Sequence, residues 1–203
     1  MKFHWYAIIL TIICIIIFVL QNLIPITEQF ALVSADVLSR PWIIITHIFL
    51  HGSLEHLLFN MLALALFGSI LEKIIGGKRF LIIFFISGII AAIGSIMFYE
   101  SSIGASGAIF GILGALGVLR PRMTVYLGYI PMPMAVAVIF WAIGDLVGLF
   151  APDYVAHAAH LAGLIFGLAY GIYLMKDFGE KRIRKKREHL EEKVVRKWED
   201  NYL

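Results

Sequence analysis

The chain has 203 residues, 61% of them hydrophobic and only 15% charged, with a mean hydropathy of +0.89. Soluble domains carry roughly a quarter charged residues, so this composition excludes an ordinary water-soluble enzyme and describes a membrane protein. The net charge of +3 lies in the tail, because residues 1–175 hold equal numbers of acidic and basic side chains; a basic tail beside a membrane is expected to meet anionic lipid, not nucleic acid.

Six apolar segments can span a bilayer, which takes about 20 such residues or slightly fewer. They lie near 4–24, 54–75, 79–99, 105–120, 133–150 and 156–175. The fourth and fifth are short, which is tolerable inside a bundle. Lys2 and the run Trp5 to Leu20 resemble a signal peptide, but no small-residue cleavage site follows, so the segment reads as a retained span. Cys14 is the only cysteine, which excludes an internal disulfide and a cysteine-based metal site.

The connections alternate in charge. Loop two (Lys73, Lys78, Arg79), loop four (Arg120, Arg122) and the tail are basic; loop one (Glu28, Asp36, Arg40), loop three (Glu100) and loop five (Asp153) are not. Basic loops stay in the cytoplasm, so both termini are expected inside and loops one, three and five outside. The fold class is thus an all-α membrane protein, a six-span bundle over residues 1–175 with its termini inside. Residues 176–203 form a basic cytoplasmic tail. Leu190, Val194 and Trp198 recur there at helical spacing, so the tail reads as a helix, lying on the membrane surface or solvated. Loop one, with Pro25, Pro41 and Trp42, is longer than a plain connection needs and reads as functional or interfacial. Loop four carries Pro121, Pro131 and Pro133, the last suited to the first turn of the fifth span.

Ionisable groups inside spans are costly and raise functional hypotheses. His47, His51 and His56 lead into the second span, with Asn60 one turn beyond His56; His157 and His160 open the sixth. Gly104-Ala105-Ser106-Gly107 opens the fourth. A serine there is either an N-cap or small packing residue, or a hydroxyl at a helix start whose free N–H groups suit an oxyanion. The topology puts His56, Asn60, Ser106 and His160 at one side of the membrane and similar depth. Gly107, Gly111, Gly114 and Gly117 on the fourth helix, and Gly163, Gly167 and Gly171 on the sixth, allow close approach of the two. That approach would bring Ser106 to His160, and a histidine base activates a serine. Among the remaining polar residues, His47 and His51 read as interfacial, and His157 as facing solvent in loop five. Glu72 reads as pairing or capping near the inner end, and Asp145 as a buried hydrogen-bonding residue without a catalytic role.

Three motifs together resemble the rhomboid family of intramembrane serine proteases over about residues 40–171. They are Gly104-Ala105-Ser106-Gly107, His160-Leu161-Ala162-Gly163 with Gly167, and His51 followed by His56-Leu57-Leu58-Phe59-Asn60. The resemblance implies a Ser106–His160 dyad with no acidic third member; no carboxylate adjoins His160 in the sequence. It implies an oxyanion site at His56, Asn60 and the Ser106 N–H, with Gly104 beside it and Phe110 stacked on the imidazole. It also implies single-span membrane proteins as substrates, cut near their outer end after a small residue, with no cofactor and no metal. Location is expected to be a prokaryotic cell membrane, active site toward the extracytoplasmic side. Two departures stand out. Trp42 is followed by Ile43 where some bacterial members have Trp-Arg, and Phe110 stands where some have tyrosine. Two other readings compete: a silent relative that binds membrane helices without cutting them, and a metal site of His51, His56, His157 and His160, which lacks the His-Glu-x-x-His pattern.

Overall fold

The protein is a multi-pass bundle of membrane helices. In the computed structural model the described residues are 4–151, 153 and 155–202, with the backbone alone for 181–192 and 194–202. The stripe Leu190, Val194, Trp198 and the N-terminal Lys2 thus lie outside the described side chains.

Helix α1 (Tyr6–Leu23) is followed by a folded loop one: α2 (Thr27–Phe30), strand β1 (Leu32–Val33), a 3-10 turn (Ser34–Asp36), α3 (Ile43–Thr46) and a second 3-10 turn (His47–Phe49). The next helix runs as α4 (Leu54–Ala63), a π-turn (Leu64–Gly68) and α5 (Ser69–Ile75). Then come α6 (Gly77–Phe98), β2 (Ser101–Ser102), α7 (Ser106–Leu119), β3 (Thr124–Leu127), β4 (Ile130–Pro133), α8 (Met134–Gly148) and α9 (His157–Tyr202). Among the described residues four helical stretches are long and apolar enough to cross a membrane, Tyr6–Leu23, Leu54–Ile75, Gly77–Phe98 and His157–Glu180, while Ser106–Leu119 and Met134–Gly148 are shorter.

The bundle is organised by α7. Its buried face includes Ile109, Ile112, Leu113, Ala115 and Leu116, and its small residues admit α9 to backbone contact. A Cβ placed on Gly163 would lie 2.0 Å from the Gly107 carbonyl oxygen, and one on Gly167 would lie 2.0 Å from that of Gly111. These two glycines of α9 therefore make room for main chain, not side chain. The glycine spacing read from the sequence marks this seam. Peripheral helices expose what a bundle turns to lipid: Ile12, Ile16 and Val19 on α1, and Ile139, Phe140, Ile143 and Val147 on α8.

The loops are less plain than an all-α reading suggests, because two short antiparallel ribbons tie them. Leu32 pairs with Ser102 and Val33 with Ser101, which fastens loop one to loop three beside the start of α7. Ser34 extends this with its N–H to the Glu100 carbonyl at 2.9 Å and its hydroxyl to the Tyr99 carbonyl at 2.6 Å. Loop four is a hairpin, Thr124 opposite Pro133 through Leu127 opposite Ile130, turned at Gly128 with φ +61°. Leu32, Ile43 and Ala92 form a small separate core that seats loop one on α6.

At the opposite end from Ser106, Glu72 is buried and its two oxygens accept the N–H groups of His4 (3.0 Å) and Ala7 (3.1 Å). A helix start leaves N–H groups without intrahelical partners; this carboxylate takes that of Ala7, and with it the N–H of His4 just before the helix. Arg79 reaches Asp177 at 2.8 Å and lies over the Phe178 ring, so the start of α6 and the lower part of α9 share that end.

Candidate active site

Ser106 is the first residue of α7, and the N-cap position belongs to Ala105, with no side-chain cap bond. The serine hydroxyl is therefore not spent on capping, the use most common for serine at a helix start. Gly104 before it has φ +129°, a backbone region that L side chains rarely adopt. A Cβ there would also lie 2.7 Å from His56 Cε1 and 2.8 Å from His56 Nε2, with Ser106 Oγ 3.8 Å away. Gly104 thus opens a gap flanked by the His56 ring and the Ser106 hydroxyl. Its N–H donates to the His47 carbonyl at 2.9 Å, which pins the glycine stretch to loop one.

The start of α4 supplies the opposite wall. Ser53 caps it, its Oγ accepting the His56 N–H at 3.1 Å. Asn60, buried one turn later, donates one Nδ2 hydrogen to the His56 carbonyl at 2.8 Å and keeps the second. His51 meets the His56 ring edge-on at 5.1 Å between centroids. His51 is buried, and neither of its ring nitrogens has a partner among the described residues. Burial pushes its pKa down to about 4, with the neighbouring His56 acting in the same direction. His47 is buried as well; its Nδ1 lies 2.9 Å from the Ile43 carbonyl, and burial again holds the ring at about 4. Both histidines are thus enclosed by protein.

His160 lies in the first turns of α9, and Phe110 stacks on it with ring centroids 4.3 Å apart and planes 7° from parallel. Phe110 is one turn below Ser106 on α7, so hydroxyl and stacked ring share the face turned to α9. No hydrogen bond joins Ser106 to His160 among the described residues; the polar contact of the imidazole is on its other side.

That contact corrects the sequence reading. The expectation of an imidazole without a carboxylate neighbour does not hold, because Asp145 Oδ1 lies 3.0 Å from His160 Nδ1. Asp145 is one turn before the end of α8, and the short connection to α9 folds that end back against the first turn of α9. His157 is corrected too: it does not face solvent alone. Its Nδ1 is 2.7 Å from the same Asp145 oxygen and its Nε2 is 3.2 Å from both oxygens of Asp153. Exposed Asp153 is held below the usual carboxylate range by the Val155 N–H and then by His157. Gly148 makes room for this network, since a Cβ on it would lie 2.3 Å from His157 Cε1. Asp145 is the buried hydrogen-bonding residue that the sequence suggested, but its partners, His157 and His160, were not legible there. The available signals were an aspartate inside a span and His-x-x-His at the start of a helix, which puts both rings near one face.

The four-histidine metal site weighed from the sequence divides in two. His51 and His56 face one another, whereas His157 and His160 join Asp145, with one ligand atom from each of these three within 4.8 Å of the others. Imidazole and carboxylate suit zinc, but the contacts that bring the three together are hydrogen-bond distances to one carboxylate oxygen.

A polytopic helical bundle that gathers serine, histidine, asparagine and glycine backbone at one end defines a membrane-embedded polar site. Comparison with known proteins gives it a family: a Rhomboid domain profile matches residues 38–177, and the chain belongs to the rhomboid family. Relatives include the yeast "Rhomboid protein 1, mitochondrial" of Saccharomyces cerevisiae, 32% identical over 172 residues, which cover 78% of this chain and 49% of that protein. "Rhomboid protease GluP" of Bacillus subtilis is 40% identical over 129 residues, 62% of this chain and 24% of the relative. "Rhomboid protease GlpG" of Yersinia pseudotuberculosis is 30% identical over 131 residues, 63% of this chain and 46% of the relative. The chain spans between about a quarter and a half of the length of these curated relatives.

Proposed function

We propose that this protein is an intramembrane serine endopeptidase that cuts transmembrane or juxtamembrane segments of other membrane proteins. The observation that supports the reading is Phe110, one turn beyond Ser106 on α7, stacked on His160 across the glycine seam of α7 and α9. Ser106 Oγ attacks the scissile carbonyl carbon while His160 Nε2 takes the hydroxyl proton. The carbonyl oxygen becomes an oxyanion, which the Ser106 N–H, the His56 ring and the second N–H of Asn60 receive. Collapse of the tetrahedral intermediate expels the amine, which takes the proton from His160 and leaves an acyl-Ser106. Water, deprotonated by the same imidazole, then attacks the acyl carbon; the bond to Ser106 Oγ breaks, the serine takes the proton back from His160, and the acid leaves. Gly104 lets the substrate backbone approach, and Phe110 fixes the plane of the base. No cofactor enters these steps.

The bundle in this reading has six spans, including the short α7 and α8, within residues 1–175. Both termini are cytoplasmic and the Ser106 end faces the extracytoplasmic side of a prokaryotic cell membrane. Alternation of basic and non-basic loops supports that orientation, and the Arg79–Asp177 contact is consistent with loop two and the tail on one side. The tail, residues 176–203, meets anionic lipid. Substrates are single-span proteins presenting a small residue before the cut.

Labelling with a fluorophosphonate or isocoumarin serine probe tests the reading. Purified wild-type protein is labelled and Ser106→Ala is not, while both remain folded. Equal labelling of the two, or none of a folded wild type, removes Ser106 as the nucleophile.

A further inference from the structure

We infer that Asp145 is the positioning residue of the His160 base, with His157 as the second ring that its carboxylate oxygen holds; this rests on the Ser106–His160 reading above. A carboxylate can only accept, so a 3.0 Å contact from Asp145 Oδ1 to His160 Nδ1 requires the proton on Nδ1. The neutral imidazole is then the tautomer whose Nε2 carries the free lone pair. Phe110, nearly parallel at 4.3 Å, removes rotation of the ring as a second freedom. One contact thus sets which nitrogen is basic, and the other sets where it points. The histidine that the sequence leaves without an acidic neighbour has one supplied by the preceding helix.

A buried carboxylate needs partners, and Asp145 is only 6% exposed. His157 provides a second. Its two ring nitrogens face two different carboxylates, Asp145 at 2.7 Å and Asp153 at 3.2 Å, and both contacts are hydrogen bonds only when both nitrogens carry protons. The His157 ring thus lies between a buried and an exposed carboxylate. When Ser106 gives its proton to His160 Nε2, the new imidazolium is formed against the Asp145 carboxylate already in place. The charged and titratable groups around His160 are Asp145 from α8, His157 on its own helix with Asp153 behind it, and His56 from α4.

The test uses the full chain in detergent or proteoliposomes with a reporter span. Asp145→Asn and Asp145→Leu are compared with wild type for kcat, KM, the pH profile and thermal unfolding, and the ring tautomer of His160 is read by 15N NMR of labelled histidine. Asp145→Asn is expected to lower kcat roughly 10²-fold or more with KM nearly unchanged. Asp145→Leu, which fills the site without a polar atom, loses the Nδ1–H tautomer, and Asp145→Glu restores part of the rate. A role in folding alone would lower the melting temperature and leave kcat, the profile and the tautomer of the folded fraction unchanged, and that result overturns the proposal. Loss of wild-type activity on chelation with recovery on adding zinc also overturns it, by making Asp145 a metal ligand. Undiminished cleavage by Ser106→Ala would instead strike the protease reading, while the His160 tautomer still decides the part played by Asp145.

Discussion

The two ends of the bundle treat buried polar groups in opposite ways. At the Glu72 end the carboxylate takes the N–H groups of His4 and of Ala7 in the first turn of α1, and Arg79 meets Asp177. At the Ser106 end, both nitrogens of His51, Oδ1 of Asn60 and Oδ2 of Asp145 are buried with no partner among the described residues. Only the Ser87 hydroxyl, deep on α6, joins them from elsewhere. An unpaired buried polar atom costs about 1–3 kcal/mol. Concentrating that cost at one end is the pattern of a site kept ready for a substrate or water, while the other end uses its carboxylates as fasteners.

Mutations can break this contrast. The largest expected effect is at the Ser106 end: Ser106→Ala and His160→Ala each lower cleavage of a reporter span by about 10³-fold or more, with unchanged melting temperatures. His56→Ala and Asn60→Ala are expected to cost roughly 10²–10³ in turnover, again with the fold intact; a matching fall in thermal stability would make them struts. Glu72→Ala should do the reverse. It strips two buried N–H groups of their acceptor, lowers stability by about 2–3 kcal/mol, and leaves turnover per folded molecule unchanged in the same assay.

The smallest effect is one of pH and belongs to loop one. His47 and His51 have folded pKa values of about 4 against an ordinary 6.5, both depressed by burial. The unfolded chain therefore binds more protons below pH 6.5, and stability falls as pH drops from there toward 4 and levels off beneath it. Between pH 7 and 6 each ring contributes on the order of 0.5–1 kcal/mol, readable as a fall in melting temperature that His47→Gln makes shallower. A melting temperature independent of pH over this range would mean the two rings are hydrated in the native state.

Much of the molecule was legible in the chain. Long apolar runs gave the membrane class, because lipid admits backbone only when its hydrogen bonds close within the segment. Gly163 and Gly167 announced the α7–α9 seam, since four-residue spacing puts small residues on one helix face. Phe110 was expected on the imidazole and is found there. Other features were not legible. His47 and His51 looked interfacial because nothing local shows that both become buried. The ribbon joining Leu32 to Ser102 links residues far apart in sequence, and two-residue strands leave no periodicity to read.

Asp145 shows most clearly what each level of organisation decides. Sequence alone determined that a serine, several histidines and an asparagine would occupy one side of a helical membrane protein, because residue type, span length and loop charge are local properties. It could not determine which nitrogen of His160 holds a proton. That depends on a carboxylate fifteen residues earlier, on another helix, and hydrogen bonding falls off within a few tenths of an ångström. Only the packed backbone, with Gly148 leaving space for His157 and the end of α8 turned back onto α9, sets distances that fine.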